Sequence, residues 1–321
     1  QFEEVDALGS YIQRTDAMDF HIQQILELPL VDVEAIRARG FTVAIDCVNS
    51  TGGIAVPKLL KELGVMQVHQ LYCEPNGNFP HNPEPLPEHL TEISDLVKEV
   101  GADLGIVVDP DVDRLALVNE DGSMFGEEYT LVAVADYVLT HTPGNTVSNL
   151  SSTRALRDVT EKHGQRYVAS AVGEVNVVTE MRRINAVIGG EGNGGIIYPT
   201  LHAGRDALLG IAFFLTHLAK SGQKMTEMRA SYPPYFISKN KIELTPAIDV
   251  DDVLEKVKAA HADYEINTAD GVRIDFADSW VHLRKSNTEP IIRIYAEAPS
   301  LKAADTLAQQ IIKLIEELAH G

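Results

Sequence analysis

The stretch FTVAIDCVNSTGGIAVPKLLKELG, residues 41–64, shows the unit from which most of this chain is built. Residues 41–48 form an apolar run with β-branched side chains, which predicts a buried strand. A turn follows at residues 49–53, and residues 54–64 then read as a helix that ends at Gly64. A strand followed by a turn and a helix predicts an α/β layer.

The alternation of strand and helix continues to the two prolines at 233–234, where the pattern changes. The last 85 or so residues read as a strand, a helix, three strands and a final helix, which is typical of an α+β domain. We therefore predict two α/β layer domains with mixed sheets and a C-terminal α+β domain in the order β-α-β-β-β-α. The predicted boundaries are 1–125, 126–232 and 233–321.

The composition excludes some partners. The chain of 321 residues is 45% hydrophobic and carries a formal net charge of −20. Nucleic acid and anionic membrane surfaces need a basic face, so neither is expected as a partner. The chain has no apolar run long enough to span a membrane and no signal pattern, so we expect a cytoplasmic protein. Cys47 and Cys73 are expected to be buried or half-buried free thiols.

The segment DPDVDR, residues 109–114, places Asp109, Asp111 and Asp113 at alternate positions between two apolar runs. Three carboxylates this close repel one another unless a cation lies among them, and hard oxygen ligands suit Mg²⁺, Mn²⁺ or Ca²⁺. An EF-hand loop would need glycine where Arg114 stands and helices on both sides. A solvated acidic turn is the remaining alternative. We predict a metal site, with Arg114 balancing the acids or reaching a phosphate.

The segment GGEGNGG, residues 189–195, surrounds Glu191 and Asn193 with glycines. Backbone of this kind lets a ligand approach closely, and a carboxylate beside an amide can bind adjacent sugar hydroxyls. A phosphate cradle and a flexible loop are the alternatives, although neither standard phosphate-loop pattern is present. We predict that Glu191 and Asn193 bind sugar hydroxyls.

The segment RKSNTEPIIR, residues 284–293, combines positive charge with small hydrogen-bond donors. Guanidinium groups, hydroxyls and exposed backbone N–H groups together suit a dianion such as a phosphate. A solvated basic face is the alternative. The predicted phosphate ligands are Arg284, Ser286, Asn287, Thr288 and Arg293.

These three motifs together resemble the α-D-phosphohexomutase superfamily, which includes phosphoglucomutase, phosphomannomutase and phosphoglucosamine mutase. Residues 109–114 match the metal loop D-G-D-x-D-R except at Pro110, and residues 284–293 match R-x-S-N-T-E-P-x-x-R throughout. Residues 190–195 resemble the sugar loop G-E-x-S-G-H, with Asn193 in place of serine and Gly195 in place of histidine. The Val172-Gly173 pair and the segment GNFPHNPEPLPE also resemble family segments.

The resemblance implies three related α/β domains and a fourth, small α+β domain, of which this chain would hold the last three. It implies a phosphoryl transfer between O1 and O6 of a hexose phosphate, with Mg²⁺ as cofactor and a hexose 1,6-bisphosphate as intermediate and activator. Asp109, Asp111 and Asp113 would hold the metal. His202 is a candidate to replace the histidine that the family has at position 195.

No segment resembles the family's T-A-S-H-N-P loop, whose serine carries the transferred phosphoryl group, and HNP at 81–83 lacks the preceding serine. The chain also begins at Gln1 rather than at a methionine. We therefore expect a fragment or truncated paralogue that lacks the first domain and is inactive alone. The missing N-terminal domain would be its partner. A non-catalytic phosphosugar-binding or regulatory protein is the alternative function.

Overall fold

The first sheet lies within residues 42–119 of the computed structural model, which describes residues 5–7, 9–243, 250–285 and 291–320. Its strands are β1 (Thr42–Asp46), β2 (Gln67–Leu71), β3 (Leu104–Val108) and β4 (Leu115–Asn119). They lie in the order β2-β1-β3-β4, and only β4 is antiparallel to its neighbour. The accompanying helices are α1 (Ala17–Leu26), α2 (Val33–Arg39), α3 (Gly52–Glu62) and α4 (Thr91–Val100), with single 3-10 turns at Val5–Ala7 and Pro87–His89.

Local sequence explains where these elements begin and end. All five residues of β3 are buried, as expected for an apolar run covered by helices on both faces. Helix α2 begins after Asp32, whose side chain accepts a hydrogen bond from the backbone N–H of Ala35 at 3.0 Å. It ends at Gly40, which adopts a left-handed conformation with φ of 66°.

The second sheet repeats the topology of the first. Its strands are β5 (Asn145–Asn149), β6 (Tyr167–Ser170), β7 (Ala186–Glu191) and β8 (Gly195–Ile197), in the order β6-β5-β7-β8. Again only the last strand is antiparallel to its neighbour. The helices of this layer are α5 (Glu127–His141), α6 (Ala155–Lys162), α7 (Glu174–Ile184), α8 (Ala207–Ser221) and α9 (Met225–Ala230). The matching strand order confirms two related α/β layers with mixed sheets.

Helix α8 joins the cores of the two layers. It packs against α1, α2 and α3 of the first layer and against α5 of the second. Phe213 and Phe214 of this helix are fully buried, and the Phe214 ring makes an edge contact with Phe125. The facing apolar residues of the two layers therefore form one continuous core, while each layer keeps a smaller separate cluster of its own.

The third sheet is antiparallel and has its own core. Its strands are β9 (Phe236–Glu243), β10 (Glu265–Asn267), β11 (Val272–Asp275), β12 (Trp280–Lys285) and β13 (Ile291–Ala298), in the order β10-β11-β12-β13-β9. Helices α10 (Val250–Ala260) and α11 (Leu301–His320) accompany it. The predicted α+β class is confirmed, but the structure adds the short edge strand β10 to the expected order. The polar sequence of β10 did not predict a strand. This strand is stabilised by pairing with β11 and not by burial of apolar side chains.

None of the helices in the described ranges is both long and apolar enough to cross a bilayer.

Candidate functional site

The acidic loop lies between β3 and β4 of the first sheet. One carboxylate oxygen from each of Asp109, Asp111 and Asp113 lies within 4.8 Å of the other two. Asp109 is 5% exposed, and its Oδ1 atom accepts hydrogen bonds from the backbone N–H groups of Asp113 and Arg114, both at 3.0 Å. The backbone thus converges the three acids on one point. Because the flanking elements are strands, the EF-hand alternative is excluded.

The turn after β1 holds the acidic loop through two hydrogen bonds. The hydroxyls of Ser50 and Thr51 donate hydrogen bonds to the carbonyl of Pro110 at 2.8 and 2.6 Å. Val112 is held at a positive φ of 61°, which is strained for a β-branched residue. The acidic loop is therefore a preformed structure.

The electrostatics of the loop call for a cation. Burial, together with the neighbouring carboxylates, raises the pKa of Asp109 to about 7. Burial also raises the pKa of Asp113. The Oδ1 atom of Asp113 is buried and has no hydrogen-bond partner within the described part of the chain. Three converging oxygen donors, one of them unsatisfied, fit a hard divalent cation such as Mg²⁺.

Arg114 lies beside the acids, as the sequence predicted. Its Nε atom is 3.5 Å from Asp109 Oδ2 and 3.7 Å from Asp113 Oδ1. Its Nη1 atom is 3.4 Å from Glu84 Oε1 in the proline-rich segment. The guanidinium group offsets part of the negative charge of the loop.

Arg205 joins the acidic loop to the second layer, a role that sequence reasoning missed. Its Nη1 atom lies 3.0 Å from Glu191 Oε2, and its Nε atom lies 3.0 Å from Glu174 Oε2. Its Nη2 atom donates to Asp113 Oδ2. We call these four residues the Arg205 cluster. One guanidinium group thus binds three carboxylates, one of which belongs to the predicted metal site and one to the predicted sugar site.

Glu191 ends β7 and is 5% exposed. Its Oε1 atom accepts hydrogen bonds from the Asn149 side chain at 2.9 Å and from the backbone N–H of Gly173 at 3.1 Å. With Arg205 on Oε2, three of about four acceptor positions are used, and one position on Oε2 remains. The Val172-Gly173 pair therefore lies against the glycine-rich segment. The sequence did not specify the location of this pair.

The glycine-rich segment is a tight hairpin between β7 and β8. Asn193 lies in its turn, where its side-chain oxygen accepts from the backbone N–H of Gly195 at 3.2 Å. The turn packs against the first layer, since the backbone N–H of Leu115 donates to the Gly194 carbonyl at 3.1 Å. A Cβ atom at Gly190 would lie only 2.0 Å from the Gly195 carbonyl oxygen. Close packing against backbone or side chains, and not flexibility, accounts for the glycines of this segment.

The predicted anion segment joins β12 to β13 of the third sheet. Arg284 and Arg293 stand directly opposite each other across these two antiparallel strands. Like charges in this position repel one another and favour a bound anion. Ser286, Asn287 and Thr288 lie outside the described residues.

Asp270 connects this pair of strands to the second layer. Its Oδ2 atom lies 3.5 Å from Arg284 Nη1 and accepts from the backbone N–H of Val172 at 3.1 Å. Since the next residue, Gly173, donates to Glu191, bonded contacts run from β12 through the glycine-rich hairpin to the acidic loop. The structure thus links all three predicted sites in one network.

A buried histidine lies at the same junction. His282 of β12 is 2% exposed and contacts Ser151 Oγ at 2.9 Å and the Asp270 carbonyl at 2.6 Å. Because a carbonyl can only accept, Nε2 carries the proton and Nδ1 accepts from the serine hydroxyl. Burial, aided by the charge of Arg273, lowers the pKa of His282 to about 4.

We expect acid to weaken this junction. The unfolded chain takes up a proton on His282 near pH 6.5, whereas the folded chain does so only near pH 4. The contribution of neutral His282 to the free energy of unfolding is therefore complete above pH 6.5. It is lost as the pH falls toward 4, by up to about 3 kcal/mol. The measurement is the free energy of unfolding against pH for the wild type and for His282→Gln, whose amide can still donate to Asp270.

The variant should show the shallower slope in this window. His69→Gln, at an exposed histidine on β2, is the control and should keep the wild-type slope. Parallel curves for the wild type and His282→Gln would rule out this role of His282.

The residues that sequence reasoning missed are those that connect the motifs. Arg205 lies 92 positions from Asp113, and Asp270 lies 98 positions from Val172. The only sequence signal for Arg205 was its positive charge. In a chain of net charge −20, a group of acids needs a nearby cationic side chain. His202, the candidate substitute for a histidine at position 195, is instead bound to Asp206 at 3.0 Å.

The chain matches three family models of known proteins in order. These describe phosphoglucomutase/phosphomannomutase alpha/beta/alpha domain II over residues 19–122, domain III over residues 126–235, and the C-terminal domain over residues 241–314. The three matched ranges follow the first α/β layer, the second α/β layer and the C-terminal domain of the structure in order. The chain belongs to the phosphoglucomutase/phosphomannomutase family.

Individual relatives agree with this assignment. A phosphoglucomutase/phosphomannomutase of Thermococcus kodakarensis is 38% identical over 295 residues, covering 91% of this chain and 64% of the relative. A phosphomannomutase/phosphoglucomutase of Pseudomonas putida is 31% identical, covering 96% of this chain and 67% of the relative. A crystal structure of a family protein from Burkholderia thailandensis superposes with a TM-score of 0.82 at 25% identity, covering 94% of this chain and 64% of that one. The chain thus spans about two thirds of the length of these relatives.

Proposed function

We propose that this chain is the metal-, sugar- and phosphate-binding part of a phosphohexomutase, an isomerase that moves a phosphoryl group between O1 and O6 of a hexose phosphate. The observation that carries the proposal is the bonded network from Arg284 through Asp270 and Glu191 to Asp113. It holds the proposed anion segment, the glycine-rich hairpin and the acidic loop in fixed relation, which suits a substrate with a phosphate, a sugar and a reacting oxygen.

The proposed roles follow the chemistry of each group. Asp109, Asp111 and Asp113 would hold Mg²⁺, which offsets charge on a transferring phosphoryl group when it is bound. Arg114 supports the site by balancing the acids. Glu191, through its remaining acceptor position, and Asn193 would bind sugar hydroxyls.

The phosphate that is not being transferred would lie at the segment that joins β12 to β13. Its proposed ligands are Arg284, Ser286, Asn287, Thr288 and Arg293. Paired guanidinium groups are well suited to a dianion, because each can donate two parallel hydrogen bonds.

The transferred group comes, in this proposal, from a phosphoserine outside these 321 residues. That serine would give its phosphoryl group to the free hydroxyl of the hexose phosphate and form a hexose 1,6-bisphosphate. After the bisphosphate reorients, the serine would take back the other phosphoryl group. We retain 1–125, 126–232 and 233–321 as the proposed domains, and the cytoplasm as the proposed location.

Binding of glucose 1,6-bisphosphate in the presence of Mg²⁺ tests the proposal. Titration calorimetry of the 321-residue chain should detect binding. Arg284→Ala should weaken it by about tenfold or more, because a charged hydrogen-bond donor is lost. Asp111→Asn should abolish the dependence on Mg²⁺, since Asp111 is exposed and its change leaves the loop backbone intact.

Lys302→Ala is the matched control, because Lys302 is exposed on α11 of the same domain. It removes one positive charge away from the anion strands and should leave the affinity unchanged. Equal affinities of Arg284→Ala and the wild type would refute the anion site.

In a coupled assay we expect no turnover of a hexose 1-phosphate, and steady turnover would refute a serine outside this chain. An upstream coding sequence without an in-frame T-A-S-H-N-P segment would favour the non-catalytic phosphosugar-binding alternative.

A further inference from the structure

A second group of metal-binding side chains lies between the first and second layers. His21 of α1, His202 of the segment after β8 and Asp206 at the start of α8 each offer one ligand atom, all within 4.8 Å of one another. The Nε2 atoms of His21 and His202 lie 2.8 and 3.0 Å from the same oxygen, Asp206 Oδ2. Three separate chain segments therefore point their donor atoms at one place.

The carboxylate is held in position for this role. Asp206 is 5% exposed, and its Oδ1 atom accepts from the backbone N–H of Leu209 at 3.1 Å as the cap of α8. Its Oδ2 atom is left to face the histidines. Backbone support of one carboxylate oxygen is the kind of contact that orients a metal ligand from outside.

The spacing suits a transition metal after small movements. Ligand distances of about 2.0–2.2 Å place neighbouring donor atoms of a tetrahedral site about 3.4 Å apart, slightly more than the observed contacts to Asp206. The side chains of His21 and His202 are 33% and 41% exposed, so solvent can reach the remaining coordination position. Each imidazole would bind through Nε2 with its proton on Nδ1.

We propose that His21, His202 and Asp206 form a binding site for Zn²⁺ that is separate from the acidic loop. Two imidazoles and one carboxylate are ligands that Zn²⁺ prefers, whereas the all-carboxylate loop prefers Mg²⁺. The site bridges α1 and the segment that carries Arg205, so bound Zn²⁺ fastens the first layer to the second next to the Arg205 cluster.

The test uses metal ions alone on the chelator-treated 321-residue chain, with Mg²⁺ in excess to saturate the acidic loop. Co²⁺ serves as a visible stand-in for Zn²⁺, and Zn²⁺ is then added in competition. We expect a single site per chain with absorption bands of nitrogen ligation, and a higher melting temperature with Zn²⁺. The double variant His21→Gln/His202→Gln should lower the affinity for Zn²⁺ by more than about tenfold. Removing a group that only orients a metal ligand already costs about tenfold, and here two ligands themselves are removed.

Glutamine is chosen because its amide can still donate to Asp206 but is a poor zinc ligand. A purely structural role of the histidines would survive this change, while the metal site would not. His69→Gln and Asp111→Asn are the controls and should keep the binding of Zn²⁺. Unchanged Zn²⁺ affinity in a folded double variant, or the absence of Zn²⁺ binding in the presence of Mg²⁺, would overturn the proposal.

Discussion

Replacing Arg205 by methionine should lower the free energy of unfolding by about 3 kcal/mol, as for other partly buried charges that lose their partner. Methionine preserves much of the side-chain volume, so the loss comes mainly from charge. Without the guanidinium group, Asp113, Glu174 and Glu191 repel one another across the boundary between the two layers. Urea unfolding followed by circular dichroism measures the effect.

The same variant should respond more strongly to Mg²⁺ than the wild type does. Arg205 donates to Oδ2 of Asp113 and leaves Oδ1 for a metal ion, but its positive charge offsets part of the negative charge that attracts the metal. In Arg205→Met this offset is lost, and Mg²⁺ should restore part of the lost stability. Arg205→Lys should lie between the two, because one ammonium group cannot bind three carboxylates in the geometry of a guanidinium group.

Arg183→Ala is the control for these measurements. Arg183 forms an exposed pair with Glu180 on α7, so its loss should change the stability by less than about 1 kcal/mol. If Arg205→Met were as stable as Arg183→Ala, Arg205 would not hold the acidic loop and the glycine-rich hairpin together.

Gly194→Ala should have a comparably large effect on stability, above about 2 kcal/mol. Gly194 has a positive φ of 87°, which alanine disfavours, and an added Cβ would lie 2.4 Å from the carbonyl oxygen of Leu115. The carbonyl oxygen is part of the backbone, and the position of a Cβ atom is fixed by the backbone of residue 194, so neither atom can turn away. The hairpin would move off β4, and the Leu115 N–H would lose its partner. Thermal unfolding gives the loss of stability.

Gly222→Ala separates the two causes. Gly222 also has a positive φ, of 68°, but no atom lies within 4 Å of the position of an added Cβ. This control should show only the backbone cost of about 1 kcal/mol. Because β4 follows the acidic loop directly, Gly194→Ala should also weaken Mg²⁺ binding, whereas Gly222→Ala should not. Equal losses of stability in the two variants would show that the hairpin can move away from β4 without cost.

The residue types at each motif were readable from the sequence because each chemistry has a local signature. Alternate aspartates between apolar runs predicted the convergence of Asp109, Asp111 and Asp113, and the structure confirms it. Positive charge beside small donors at residues 284–293 predicted an anion site, which stays a prediction, and pairing of β12 with β13 places Arg284 opposite Arg293. These are contacts over a few residues, which backbone geometry alone can bring about.

The glycine-rich segment shows where local reading stops. A loop of glycines around Glu191 suggested an open surface for a ligand, yet most of the hydrogen-bonding positions of this carboxylate are already used within the protein. An added Cβ would meet backbone at Gly190 and Gly194, and side chains from distant segments at Gly192 and Gly195. Nothing near residues 189–195 specifies those neighbours, so the pattern of glycines had no unique meaning in the sequence.

The sequence by itself determined the layered α/β class, the three motifs and their order, since apolar periodicity and ligand chemistry are local properties of a chain. Only the tertiary structure decided that Arg205 binds Asp113, that Asp270 binds Val172, and that two histidines face Asp206. The contacts of Arg205 and of the two histidines depend on how α8 packs between the two layers, and the contact of Asp270 depends on how the C-terminal domain packs against the second layer. The hydrophobic effect is non-directional, so the apolar pattern of the sequence does not specify which distant polar side chains meet. Those contacts become specific only once the core has packed.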